Sequence, residues 1–419
     1  MKKSAKPIIS SRQKVLDDVN KAIAETRGDY EKIDFSDTQT AFAHKSDAEL
    51  KQAQWLFRMM SQPLLTKIGS KLGLIALKLH LPFTEKAIKE TIFRQFVGGR
   101  TLLESQNTID TLYARNVFTM LDYSAEAKTT EEDYNKTMNE VIRAIEFAAT
   151  NDSTPIVVTK ITGMARFELL ESVSRNTPFN KKTRKEYKTV LKRIDSICHI
   201  ARDRGVGIFI DGEETWIQGA IDHLADVMMR RYNREKAVVY NTFQMYRKDR
   251  LKFLLRSFDR AQAGNYILGA KLVRGAYMEK ERNRAEESDY PSPIHPTKAA
   301  TDDAYNQAVR FCVKNYEKIA SCNASHNAES AQLQACLIAE KGLQKDHPHL
   351  NFCQLYGMSD HLTFNLAAAG YNVAKYVPYG SVREVTPYLI RRAQENTAVA
   401  GEMGRELALI AEEAKRRGL

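Results

Sequence analysis

From residue 117 onward, short runs of β-branched and apolar residues alternate with longer amphipathic stretches. The short runs fall at 117–123, 156–160, 207–211, 238–242, 268–273, 319–326, 351–355 and 373–377. Their length and composition predict eight strands. Between them, 131–149, 182–204, 216–232, 247–263, 297–315, 329–341 and 359–369 carry apolar positions at helical spacing. Strands that alternate with helices pair in parallel through right-handed crossovers, and eight such units close into a (βα)8 barrel, an α/β fold. An open doubly wound sheet is the alternative, disfavoured because no GxGxxG turn follows the first strand.

The pattern before residue 117 is different. Residues 10–110 show helical spacing, as in 50–60 and 87–97, and no strand-like alternation. The expected division is an N-terminal helical subdomain at 1–110 and a barrel at 111–419. Within the subdomain Trp55, Leu56, Met59 and Met60 read as internal packing, and Pro82 and Gly98-Gly99 as breaks between helices. The basic amphipathic stretch 67–80 leaves a membrane or partner surface as a second reading.

Composition narrows the class only a little. At 419 residues the chain suits one large barrel with an added subdomain. A net charge of +11 allows an anionic cofactor, a lipid surface or a nucleic acid without choosing among them. Cys198, Cys312, Cys322, Cys336 and Cys353 are odd in number and lack CxxC or Cys/His spacing, so they read as reduced core residues of a cytoplasmic protein. The first thirty residues lack the apolar core of a secretory signal, and 72–81 is too short and too interrupted to span a bilayer. The basic runs at 181–185 and 230–234 lack interleaved aromatics and read as solvated helix faces rather than a nucleic-acid site.

Candidate chemistry gathers where the strands stop. Asp122, Lys160, Asp211 with Glu213 and Glu214, Gln244, Lys271 with Arg274, Ser325-His326-Asn327 and Tyr356 all follow apolar runs. In a barrel these are the C-terminal ends, the face on which such enzymes build their sites. Each has a plainer explanation, His326 as a core or loop histidine, for instance. No metal-ligand spacing is present. Near the C-terminus, Tyr388, Arg391, Arg392 and Glu395 fall at i, i+3, i+4 and i+7. A continuous helix there would put a ring, two guanidinium forks and a carboxylate on one face, able to hold an anion. A solvated face with an i, i+4 ion pair explains the same spacing.

Six strings carry a family resemblance: Phe209-Ile-Asp-Gly-Glu-Glu214, Thr242-Phe-Gln-Met-Tyr246, Lys271-Leu-Val-Arg-Gly-Ala-Tyr277, Ala324-Ser-His-Asn327, Gln354-Leu-Tyr-Gly-Met358 and Tyr388-Leu-Ile-Arg-Arg-Ala-Gln-Glu395. In order and spacing, from about residue 41 to about 403, the chain resembles the proline dehydrogenases, and the single-function eukaryotic-type branch more than the short bacterial form. The resemblance implies a distorted (βα)8 barrel holding FAD. It also implies oxidation of L-proline to 1-pyrroline-5-carboxylate, with hydride passing from proline C5 to flavin N5.

It assigns roles as well. Lys160, Arg391 and Arg392 would bind the substrate carboxylate, with Glu395 steadying an arginine, and Leu355, Tyr376 and Tyr388 would wall the ring. Gln244, Arg274, Gly275, Ala276, Tyr277, Ser325 and His326 would contact the flavin. Asp211 and Lys271 would form a pair beneath it. Lys271 and Arg274 stand in the order of the eukaryotic-type sequences, swapped relative to the bacterial pattern. The implied acceptor is a quinone at a membrane surface, on whose inner face the protein would sit peripherally. The next enzyme, 1-pyrroline-5-carboxylate dehydrogenase, is a candidate partner. Ending at Leu419, the chain is expected to carry a single function. A hydroxyproline dehydrogenase of the same fold, or a non-flavin barrel enzyme with a phosphate clamp, are the alternatives.

Overall fold

The eight apolar runs form one sheet that closes on itself. The computed structural model describes residues 32–62, 69, 72–73, 75–77, 79, 81–124, 128–398 and 400–419, with side chains described outside 393–403. Its strands are β1 Val117–Tyr123, β2 Ile156–Thr159, β3 Gly207–Ile210, β4 Val239–Gln244, β5 Leu268–Val273, β6 Ile319–Ala324, β7 Leu350–Leu355 and β8 Val373–Tyr379. All pair in parallel in sequence order, and β1 against β8 shuts the barrel, with Met120 opposite Tyr376. The fourth strand reaches two residues further than its hydrophobic run, because Gln244 still pairs with Val273 of β5. The sixth stops at Ala324, before the Ser-His-Asn turn.

Side chains alternate across a strand, and the alternation sorts this barrel into layers. The outward residues of the strands join the flanking helices in the main core. The inward residues Met120, Val158, Phe209, Cys322, Cys353 and Ala374 fill the barrel with an apolar plug. Two positions further along, the same inward faces carry Asp122, Lys160, Asp211 and Tyr376.

The helices between strands are bounded by ordinary local chemistry. Thr130, Asn180, Thr297 and Asn327 accept from backbone N–H groups in the first turns that follow them, and Gly205 ends the long helix Lys181–Arg204 at φ 75. In the subdomain, Ser46 and Glu49 form a reciprocal capping box on helix Asp47–Met60.

The N-terminal helices do not stand apart from the C-terminus. Phe42, Leu50, Phe57, Phe93 and Phe96 share one core with Val385, Tyr388 and Leu389 of helix Val382–Ala398 and Ile410 of helix Ala400–Arg416. Gly98 and Gly99 make this docking feasible. The N–H of Gly98 donates to Pro378 O on β8 at 2.9 Å, and a Cβ at Gly98 would meet Val377 Cγ1 at 2.4 Å. Leu56 and Met60 are buried as expected. Trp55 and Met59 are not, at 52% and 39% exposed, because they lie on the face of their helix that turns away from this shared core.

Between β8 and this assembly lies a charge cluster that the sequence reading did not single out. Lys375, 1% exposed and out of phase with the inward Tyr376, pairs with Asp360 at 2.8 Å, and Lys45 and His44 approach the same carboxylate at 3.4 and 3.5 Å. Burial alone would raise Asp360, but Lys375 and Lys45 hold it well below the usual carboxylate range. Removing one partner strands a buried ammonium. Asp360→Ala is therefore expected to cost about 3–5 kcal/mol of stability, measured by urea unfolding at pH 7 followed by circular dichroism.

Candidate active site

Five strands place their inward-facing ends around one point. Lys160 Nζ, just beyond β2, donates to both oxygens of Asp122 on β1 at 3.0 and 3.1 Å. It also reaches Tyr376 Oη on β8 at 3.1 Å and lies 3.5 Å from Asp211 Oδ2. Asp211, following β3, accepts from Lys271 Nζ of β5 at 2.6 Å and from Tyr376 Oη at 2.9 Å. Asp122 is fully buried, and the other four are at most 9% exposed. The structure thus joins Asp211 to Lys271, and it adds Asp122, which had been noted only as a polar strand end.

The electrostatics follow from this nesting. Burial pushes Asp211 upward, yet the adjacent Lys271 and then Lys160 outweigh it and hold the carboxyl below its ordinary value. Tyr376 is driven well above the phenol range, by burial first and then by Asp122 and Asp211. It therefore stays a protonated donor.

Around this layer, the expected cofactor residues occupy the ends of β4 to β6. The Gln244 amide donates to Glu213 O at 2.7 Å, and its oxygen accepts from Ala276 N at 3.4 Å. A Cβ at Gly212 would meet that amide at 3.0–3.1 Å, so the Asp-Gly-Glu-Glu turn lies close against it. Arg274 fans its guanidinium over Asp302 at 2.8 Å, Ser330 at 3.0 Å and Ser325 Oγ, and stacks 4.3 Å from the Tyr305 ring centroid. Gly275, at φ 146 against the Tyr246 ring, permits the turn that Tyr277 completes.

His326 Nδ1 sits 2.9 Å from Ser359 Oγ. Burial, reinforced by Lys375 and Arg392, lowers its pKa to about 3, so the imidazole is neutral. Ser359 itself holds a left-handed φ of 52.

The helix that carries the paired arginines reaches this mouth through Arg391 and Arg392. Val382–Ala398 is continuous despite Pro387. Tyr388 is buried, while Arg391 and Arg392 are half-buried, the former 5.9 Å from the Tyr277 ring centroid and the latter 5.5 Å from that of Tyr388. The helix face therefore meets the expected cofactor turn. Leu355, at the end of β7, packs against both the barrel plug and the helical core. The side chain of Glu395 lies outside the described residues. A cavity of about 170 Å³ opens at the opposite mouth, lined by Phe118, Ile156, Tyr240 and Ala374, away from all these groups.

Comparison with known proteins agrees with the motifs. Residues 105–405 match the Pro_dh family, described as proline dehydrogenase. The chain belongs to the proline dehydrogenase family. It is 32% identical over 351 residues to the carbapenem antibiotics biosynthesis protein CarD of Pectobacterium carotovorum, covering 84% of this chain and 91% of that protein. Against mitochondrial proline dehydrogenase 1 of Dictyostelium discoideum it is 31% identical over 426 residues, covering 91% and 74%.

Among solved structures, proline utilization A from Bdellovibrio bacteriovorus inactivated by N-propargylglycine superposes with a TM-score of 0.68 at 19% identity. The match covers 89% of this chain and 40% of that one, and it shows the shared barrel fold. The family makes the chain an oxidoreductase. Among the described residues no helix is long and apolar enough to cross a membrane.

The mouth also holds a carboxyl set to titrate near neutrality. Glu213 is 3% exposed and accepts from Thr162 N at 3.1 Å. Burial raises its pKa from 4.5 to about 7, with Glu214 adding to the shift. A raised carboxyl stabilises the fold fully below the unfolded value, and that contribution is lost as pH rises through the folded one. Neutral His326 pulls the total the other way, so the readout is a difference. Relative to the wild type, the melting temperature of Glu213→Gln is expected to rise from pH 5 to pH 8, checked by thermal scans of both proteins.

Proposed function

We propose that the chain binds FAD and oxidises L-proline to 1-pyrroline-5-carboxylate, passing the electrons to a quinone. The observation that carries this is the closed charge layer Asp122–Lys160–Asp211–Lys271 with Tyr376, set under a helix that presents two half-buried arginines. The residues fit a flavin: a protonated phenol and two ammonium groups lie below, an amide, a guanidinium and a hydroxyl line one side, and glycines keep the turns low enough for a flat ring system to approach. Gln244, Arg274, Gly275, Ala276, Tyr277, Ser325 and His326 would hold it. FAD, when bound, supplies the acceptor for the hydride that leaves the ring carbon next to nitrogen.

The protein's own work is positional. Arg391 and Arg392 hold the substrate carboxylate through planar donor forks, and Lys160 supports them from the barrel side. Leu355 and Tyr388 wall the ring, and their shared packing with the helical core excludes water, which strengthens the charged contacts. Tyr376 presents its hydroxyl at the edge of the same space, where a ring hydroxyl would compete for the Asp211 contact. That argues for proline over hydroxyproline. Asp211, held below its ordinary value, is too weak a base to take the proton, so the substrate amine must arrive deprotonated.

Two measurements test this. The purified protein is expected to show the visible absorption of an oxidised flavin, bleached by anaerobic L-proline and far less efficiently by hydroxyproline. A colourless protein, or equal kcat/KM on the two substrates, would contradict the assignment. Arg391→Met is expected to raise the proline KM by about tenfold or more, about 1.4 kcal/mol, with a smaller effect on kcat in steady-state assays. An unchanged KM removes the clamp.

A further inference from the structure

The barrel has a second opening, at the N-terminal ends of its strands. The cavity of about 170 Å³ there is walled by Phe118 and Met120 of β1, Ile156 of β2, and Val373 and Ala374 of β8. Small residues help keep it open. Gly207 begins β3 without a side chain, and a Cβ on it would come 3.1 Å from Ile156 Cγ1. Gly269 on β5 makes room for the ring of Tyr240 on β4, whose Cγ would lie 2.9 Å from an added Cβ.

Much of the polar lining is already paired. Pro155 O, Val238 O and Asn372 O accept from the N–H groups of Gly207, Ile208 and Phe352 at 2.9, 2.6 and 2.9 Å. The amides of Asn351 and Asn372 donate to Pro348 O and Asp346 O at 2.9 and 2.7 Å. Tyr240 is different. It lines the cavity at 7% exposure, and its hydroxyl has no hydrogen-bond partner among the described residues. A buried polar group left unpaired is costly, so this hydroxyl is placed to meet a bound molecule. Burial first, and then Cys322, hold the phenol above its ordinary range, so it stays protonated and can donate.

Size and charge narrow the ligand. An apolar cavity of about 150 Å³ takes up benzene, so this one has room for a single aromatic ring. Lys236 is exposed at the rim, has no ion pair among the described residues, and the lining contains no carboxylate. An anionic group at the open end therefore meets complementary charge while the ring enters the apolar part.

We infer that this cavity binds a small aromatic acid, its ring among Phe118, Ile156 and Val373, its carboxylate at Lys236 and a ring hydroxyl on Tyr240. The site lies at the mouth opposite the charge layer, so it stands whether or not the chain oxidises proline.

Isothermal titration of the full-length protein with 4-hydroxybenzoate tests it. The wild type is expected to show a site that weakens as salt rises, that Ala374→Leu removes by filling the cavity, and that Arg391→Met leaves intact. Tyr240→Phe keeps the ring and requires no repacking, and is expected to bind at least about tenfold more weakly with an unchanged melting temperature. No binding by the wild type, or equal affinity in Tyr240→Phe or in Ala374→Leu, overturns the inference. So does binding that Arg391→Met abolishes, which would place the acid on the paired arginines instead.

Discussion

The site depends on Asp211 lying between two lysines inside the barrel. A carboxylate removed from water is costly, and burial alone would push its proton affinity up. Lys271 at 2.6 Å and Lys160 at 3.5 Å reverse that, and Tyr376 and Asp122 close the remaining valences. Five side chains from five strands can meet this way only if the barrel closes in register. The constraint therefore runs both ways: the fold positions the charges, and the charges penalise any slip of a strand by one residue, which would turn Lys160 or Lys271 into the apolar outer layer.

Most of this architecture was legible because strand periodicity and helix periodicity differ so clearly after residue 117. The strand positions followed from β-branched runs, and the polar residues at their ends marked the face where the buried charge layer gathers. What the sequence could not provide was phase. Lys375 sits one residue from Tyr376, yet one points out to Asp360 and the other in to Asp211. A charged residue inside the apolar run 373–377 was the available signal that a buried partner existed somewhere. Trp55 and Met59 were misplaced for a related reason. Helical spacing identifies a face but not which of two faces meets the core, and here Leu50, Ala53, Phe57 and Met60 occupy the inner one.

The outer shell is coupled to the mouth through a short chain of contacts. Glu406, on the last helix, accepts from Ser359 N at 3.0 Å, and Ser359 Oγ meets His326. Burial raises Glu406 to about 7, with Asp360 contributing, so this carboxyl holds its proton more readily than a surface glutamate. The left-handed backbone at Ser359 is thereby held by a C-terminal element on one side and a strand-end histidine on the other. This gives the helices around the barrel a part in shaping the mouth beyond covering it.

The charge count inside the barrel argues for a helix as the carrier of the proposed anion clamp. Lys160 and Lys271 are balanced by Asp122 and Asp211, and Lys160 already spends two donors on Asp122 at 3.0 and 3.1 Å. A layer that is neutral by itself can be stable with no ligand present, but it offers little net attraction to a carboxylate. Under the proposed function, the extra positive charge comes from outside the sheet, on an element that is only half-buried. Arg391 and Arg392, half-buried and 5.9 and 5.5 Å from the ring centroids of Tyr277 and Tyr388, are placed on such an element. A strand-borne arginine in the same layer would need a third buried carboxylate, and that carboxylate would compete with the substrate for it.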